Sequence, residues 1–242
     1  MGNKYVICRG GKVTGLRVSE MFYSIQGEGP TAGMPAIFLR LQGCDFNCSW
    51  CDTIKIWKEG KLWEAPDLVA YFKKMGWTDL LKLGVHLVIT GGNPLLQEKG
   101  IVEFYYALLN EIVDAPYIEV ETQGSSHPSN SIVDQYNVSP KLSNSGVPDF
   151  KRIKEDVIRF HVNGPLSCFK FVVRNNDDVE EARYDFILPF QIKRCKIWLM
   201  PEASTREELI KVSPEVIELC KTYGYNFSNR LQLMVWNKTI GV

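Results

Sequence analysis

Short apolar runs, rich in β-branched and aromatic residues, recur at Ala36–Leu41, Val85–Thr90, Tyr117–Glu121, Tyr136–Ser139, Cys168–Val173, Cys195–Met200 and Leu231–Trp236. Most are apolar on both faces, as strands of a covered parallel sheet are. Helical patterns fall between several of them. Ala65–Met75 has Pro66 at a plausible start. Gly100–Val113 carries the stripe Ile101, Phe104, Tyr105, Leu108, Leu109 and Ile112. Thr205–Tyr223 offers Thr205 as N-cap, with Glu207 and Glu208 in the first turns and Pro214 as a break or restart. Strand and helix signals in alternation predict an α/β fold. The connection Thr122–Gln135 is too short and polar for a full crossover helix. The expected architecture is therefore an incomplete TIM-like (β/α) barrel of about six parallel strands, since a complete one takes about 250 residues. With no repeat, low-complexity tract or clear linker, residues 1–242 read as one domain.

Chemistry enters through seven cysteines, three of them clustered as Cys44, Cys48 and Cys51 in a C-x3-C-x2-C loop. Met1–Gly15 does not look like a signal peptide, and no apolar run approaches the roughly 18 residues of a membrane span. A soluble, cytoplasmic chain is expected, in which clustered cysteines bind metal rather than pair as disulfides. Cys8, Cys168, Cys195 and Cys220 read as ordinary buried thiols. Three thiolates suit three irons of a [4Fe–4S] cluster and leave one iron open. They also suit zinc if a fourth ligand comes from His86, His127 or His161, and thiolate chemistry alone leaves both open. Each histidine has the position of a surface or capping residue. Lys plus Arg balances Asp plus Glu at 28 each, which argues against a broad nucleic-acid surface.

Polar or Gly-rich segments follow the strand ends: Gly43–Thr53, Gly91–Pro94, Thr122–Gly124, Ser139–Lys141 and Pro201–Glu202. That edge carries the site in parallel α/β folds.

The cysteine loop, with Trp50 just before Cys51, resembles the motif of radical S-adenosylmethionine (SAM) enzymes. Thr90–Pro94 resembles the same superfamily's Gly-rich strand end, with Asn93 where Glu is commoner. Glu20–Pro30, Phe38–Cys44, Cys51–Thr53, Glu121–Gly124, Ser139–Lys141, Leu199–Glu202 and Trp236–Val242 together resemble the 7-carboxy-7-deazaguanine synthase family. That resemblance implies a SAM- and Mg²⁺-dependent radical ring contraction. Hydrogen is taken from C6 of 6-carboxy-5,6,7,8-tetrahydropterin, ammonia is lost, and 7-carboxy-7-deazaguanine of the 7-deazapurine pathway forms. It further implies an electron donor such as flavodoxin and a homodimer.

By the same resemblance, Cys44, Cys48 and Cys51 hold the cluster and Thr53 binds Mg²⁺. SAM lies against Trp50, Cys51, Asp52, Gly92, Asn93, Ser139, Pro140, Lys141, Leu199, Met200, Pro201 and Glu202. The pterin meets Ile25, Gln26, Gly27, Glu28, Arg40, Thr90, Glu121 and the terminal carboxylate of Val242. Competing readings are a radical SAM activase that installs a glycyl radical, and a zinc-stabilised interaction module. Residue by residue, Arg40 also reads as a paired barrel charge, Gln26–Gly29 as a plain turn, Thr53 as a helix cap and Lys141 as a solvated lysine.

Overall fold

The protein was analysed as a computed structural model that describes residues 15–129, 131–164, 166–239 and 241–242. Among the described residues nine strands form one sheet: β1 (Leu16–Ile25), β2 (Pro35–Leu41), β3 (Lys61–Trp63), β4 (His86–Gly91), β5 (Ile118–Thr122), β6 (Gln135–Val138), β7 (Ser167–Val173), β8 (Ile197–Pro201) and β9 (Asn226–Phe227). Their order is β3-β1-β2-β4-β5-β6-β7-β8-β9. From β2 to β9 every pairing is parallel, while β1 runs antiparallel to β2 and β3. The expected parallel strands are present, and the sheet does not close, as an incomplete barrel requires.

Side chains alternate across each strand, so each strand has two different faces. Ile37, Leu39, Leu41, Leu87, Ile89, Ile118, Val120, Val138, Phe169, Phe171, Val173, Ile197 and Leu199 share one apolar core. Helices pack on that face through Leu68, Val69 and Phe72 (helix Ala65–Lys74) and Ile101, Phe104 and Leu108 (helix Glu98–Leu108). Val216 and Cys220 do the same from helix Arg206–Tyr223. Each such side chain contributes roughly 1.5–3 kcal/mol of burial. The opposite, inner face is different. It carries Arg40, His86, Thr90, Glu119, Glu121, Asn137 and Lys170, interrupted by the small apolar group Ala36, Phe38 and Val88. The expectation of two apolar faces therefore holds only for the helix side.

Leu231–Trp236, expected as a strand, is a helix. A six-residue apolar run suits either state. This one packs Leu233 against Ala203 and Leu209 and leaves Met234 and Val235 outward. Pro214 does not break the helix Arg206–Tyr223. It lies on the same exposed face as Ile210, where the missing N–H costs least. Thr205 caps that helix, accepting from Glu208 N at 3.1 Å. The expected stripe to Val113 ends as helix at Leu108, after which Ile112 packs from a turn. β1 had no counterpart in the sequence reading, because as a half-exposed strand beside the sheet edge it lacks a continuous apolar run.

Candidate active site

The loop after β2 carries Cys44, Cys48 and Cys51 and is fixed from three sides. Asn93 N donates to the Gly43 carbonyl at 2.8 Å, and Gly43 N donates to the Trp57 carbonyl at 3.0 Å. Ser49 N donates to Ser145 O at 2.9 Å, and Trp50 Nε1 to Asn144 Oδ1 at 3.2 Å. Gly92 passes so close that a Cβ there would lie 2.2 Å from the Gly43 carbonyl oxygen and 2.5 Å from Cys44 Cβ. Asn93 is fully buried: its amide donates to Asp45, Ser125 and Ser126, and its carbonyl accepts from Thr122. The residue that departs from the superfamily pattern thus ties together the loops after β2, β4 and β5.

The cysteine sulfurs sit in a built environment. Phe46 N donates to Cys44 Sγ at 3.4 Å, Gln123 Nε2 to Cys44 Sγ at 3.7 Å, and Trp57 Nε1 to Cys51 Sγ at 3.5 Å. Burial pushes the Cys44 thiol up to about 11, only partly offset by the Phe46 N–H, and raises Cys48 as well. Metal ligation here displaces protons. Among the described residues no three His, Cys, Asp or Glu side chains converge on a point for one metal ion. Zinc needs four converged donors. A cubane takes each thiolate on a separate iron and needs no such point. The donor set, all thiolate with N–H groups aimed at two sulfurs, fits a [4Fe–4S] cluster.

Two of the three histidines are not surface residues. His86 is buried, 2.5 Å from Glu119 Oε1 and stacked on Tyr117. His161 is fully buried, and burial holds it down at about 4. His127 is exposed and turns back on the Pro128 carbonyl. Cys168 and Cys220 are buried thiols as expected, but Cys195 is exposed. Cys8 lies outside the described residues.

Beneath the loop the inner face presents a polar row. Glu20 opposes Arg40, and Arg40 opposes Thr90. Glu20 Oε1 takes Arg40 Nε at 2.6 Å, so Arg40 is a paired barrel charge. Its terminal guanidinium nitrogens make no hydrogen bond among the described residues, leaving that edge for a carboxylate. Thr90 donates to Glu121 at 2.8 Å. Gln26 is buried, with its amide 3.4 Å from both Glu119 and Glu121 and its carbonyl accepting from Glu28 N.

Glu28 is not a free turn carboxylate. It accepts from Lys170, from Arg230 Nε at 2.9 Å and from Gln232 Nε2 at 2.7 Å. Burial alone would raise its pKa, but the charges of Lys170 and Arg230 outweigh burial and hold it well below the usual carboxylate range. Arg230 also reaches Asp52 Oδ2 at 2.5 Å and the Ala203 carbonyl. One guanidinium therefore joins the cysteine loop, the Gln26–Glu28 turn and the segment after β8. Leu231 N donates to the Gly27 carbonyl at 3.1 Å, which seats the last helix on that turn.

The proposed SAM residues fall along the carboxyl ends of the strands. Lys141 bonds the Ser139 carbonyl and hydroxyl at 2.8 Å each and lies 5.5 Å from the Trp50 ring centroid. Burial pushes its ammonium pKa down, so it is not a solvated lysine. Pro140, Leu199, Met200 and Pro201 are buried. Glu202 ends this stretch with Oε2 buried and without a hydrogen-bond partner; Arg174 Nε stands 3.8 Å away. Thr53 holds the N-cap position of the short helix Ile54–Trp57, but its hydroxyl makes no capping bond. The Ile25 side chain is exposed. Val242 is half-buried.

Sequence reasoning missed Asp45, Trp57, Glu119, Gln123, Lys170, Arg230 and Gln232. The signal for two of them was present: Glu119 and Lys170, like the expected Glu121, interrupt otherwise apolar strands on the alternate face, the mark of a polar inner face.

A family model for a 4Fe–4S single cluster domain matches residues 25–125. The chain is 37% identical over 234 residues to 7-carboxy-7-deazaguanine synthase of Pyrobaculum aerophilum, covering 93% of this chain and 97% of the relative. It is 30% identical over 251 residues to the synthase of Halobacterium salinarum, covering 94% and 93%. The crystal structure of QueE from Escherichia coli superposes with a TM-score of 0.68 at 24% identity, covering 88% of this chain and 93% of that one. It shares the fold.

Proposed function

The chain belongs to the 7-carboxy-7-deazaguanine synthase family, and from that premise we propose how its own residues serve the ring contraction. It is a radical SAM enzyme carrying a [4Fe–4S] cluster, and it converts 6-carboxy-5,6,7,8-tetrahydropterin to 7-carboxy-7-deazaguanine. Family membership sets aside the activase and the zinc module. The observation that carries the residue assignments is the buried polar inner face directly below the cysteine loop, Arg40–Thr90–Glu121 with Gln26 and Glu28 above it.

When bound, SAM and the cluster supply the 5′-deoxyadenosyl radical that takes hydrogen from C6. The protein positions the reactants. Cys44, Cys48 and Cys51 hold the cluster. Trp50, Asp52, Gly92, Ser139, Pro140, Lys141 and Leu199–Glu202 surround SAM, and Glu202 Oε2, which accepts no hydrogen bond, suits a sugar hydroxyl. Asn93 acts by fixing the loops rather than by touching SAM. The free guanidinium edge of Arg40 takes the substrate carboxylate. Thr90, Glu121 and Gln26 read the pterin edge. Glu28, kept ionised by Lys170 and Arg230, accepts from its N–H groups. Thr53, whose hydroxyl makes no capping bond and lies 3.7 Å from Cys51 Sγ, would offer a hard oxygen to Mg²⁺.

We further place the enzyme as a single-domain, cytoplasmic homodimer reduced by a flavodoxin-type donor. Among the described residues no helix is long and apolar enough to cross a membrane. The decisive experiment incubates reduced, cluster-loaded protein with SAM and carboxytetrahydropterin. The expected products are 7-carboxy-7-deazaguanine and ammonia. SAM cleavage without ring-contracted product would overturn the assignment.

A further inference from the structure

We propose that Trp57 and Gln123 set the reduction potential of the cluster by donating hydrogen bonds to two of its thiolate ligands. The inference rests on the cluster assignment above and adds residues that the ligand motif does not contain. Trp57 Nε1 lies 3.5 Å from Cys51 Sγ, and Gln123 Nε2 lies 3.7 Å from Cys44 Sγ. Among the described residues no side-chain N–H donates to Cys48 Sγ, so the pattern is asymmetric.

Both donors are held in place. Trp57 N donates to the Thr53 carbonyl at 3.1 Å, and the Trp57 carbonyl accepts from Gly43 N at 3.0 Å. The Trp57 backbone is thus anchored to both ends of the cysteine loop, and the indole N–H has no other acceptor among the described residues. Gln123 is buried, and Asp45 Oδ1 fixes the same amide at 2.6 Å. Gln123 belongs to the Glu121–Gly124 segment, in which substrate contacts account for Glu121 alone.

Reduction adds one negative charge that spreads over the sulfurs. An N–H aimed at a thiolate is worth more in the reduced state, so each donor raises the potential and eases electron entry. Ordered donors in a partly buried loop cost no reorganisation at the moment of transfer.

The test is a potentiometric titration of the reconstituted protein without SAM or substrate, followed by the electron paramagnetic resonance of the reduced cluster. Trp57→Phe keeps the ring and removes the donor; Gln123→Leu keeps the volume and removes the amide. Each variant is expected to hold about tenfold less reduced cluster at a fixed potential, equivalent to a midpoint lower by about 59 mV for one electron. Trp63→Phe, on β3 and away from the sulfurs, leaves the midpoint unchanged. A cluster-loaded Trp57→Phe with a wild-type or higher midpoint overturns the role of Trp57, and the same result for Gln123→Leu overturns that of Gln123. If Trp57→Phe fails to hold iron, pulsed resonance on Trp50→Phe protein labelled with ¹⁵N-tryptophan decides. An indole nitrogen coupled to the reduced cluster supports the proposal, and no coupling overturns it. Wild-type protein without a four-iron signal would instead refute the cluster itself.

Discussion

Gly92→Ala is the sharpest test of how the cysteine loop is held. A Cβ built at Gly92 would stand 2.2 Å from the Gly43 carbonyl oxygen, 2.7 Å from its carbon and 2.5 Å from Cys44 Cβ. Real Cβ contacts essentially never fall below 3.0 Å, so backbone must retreat by roughly 0.8 Å. That retreat lengthens the 2.8 Å bond from Asn93 N to the Gly43 carbonyl to about 3.6 Å, no longer a hydrogen bond. Leaving the buried Asn93 N–H unpaired costs about 1–3 kcal/mol. Overpacking adds about 1–3 kcal/mol. The sum is a large share of the roughly 5–15 kcal/mol that stabilises a domain. It falls where the first cluster ligand is attached, and a misplacement of about 1 Å can cost a hundredfold in rate. Gly27→Ala is the control. Its Cβ would meet Gln232 Oε1 at 1.9 Å, but that is the tip of a flexible side chain that can swing away. The loss is then at most about 1.5–3 kcal/mol, one hydrogen bond to the Glu28 carboxylate, with no loop backbone displaced. Urea midpoints and the rate of iron loss to a chelator measure both variants. Gly92→Ala should unfold at markedly lower urea and shed iron about tenfold faster, the rate expected when ligand position is disturbed. Equal behaviour of the two variants, or a wild-type Gly92→Ala, would refute the argument.

Other perturbations probe the remaining contacts. Because Glu28 is held below its ordinary value, its contribution is full above the unfolded carboxyl pKa of about 4.3 and is lost as pH falls below it. The gap in urea midpoint between wild type and Glu28→Gln should therefore hold constant from pH 7 to about pH 5 and narrow as pH falls below about 4.3; a gap that stays constant below about pH 4 would contradict the ion pairing. Arg230→Met removes bonds to Glu28, Asp52 and Ala203 and should cost roughly 2–4 kcal/mol in denaturant titrations, whereas a loss near zero would show the junction to be solvated. Thr53→Ala should raise the Mg²⁺ concentration needed for turnover while leaving iron content unchanged, and an unaltered Mg²⁺ profile counts against the threonine as ligand.

The cysteine spacing, the Gly-rich strand ends and the alternation of strand and helix are all local patterns, and each survives in the folded protein. Local chemistry explains why. Thr205 caps its helix through a residue three positions away, and the Gly92 approach depends on having no side chain at that position. Leu231–Trp236 was ambiguous because six apolar residues bury equally well in a strand or a helix; packing against Ala203 and Leu209 chose the helix. β1 escaped notice because its stability comes from pairing with β2 and β3, not from its own pattern.

The sequence by itself determined the cysteine spacing, the parallel sheet and the Gly-rich strand ends, because neighbours in the chain encode them. Only the tertiary structure decided that Glu28 is an ion-paired carboxylate rather than a turn residue, since Lys170 and Arg230 lie 142 and 202 residues away. It likewise decided that Arg40 keeps one edge free while Glu20 holds the other, and that Trp57 and Gln123 point at the sulfurs of Cys51 and Cys44. Such bonds reward groups that meet in space, and nothing along the chain records the meeting until the sheet has folded.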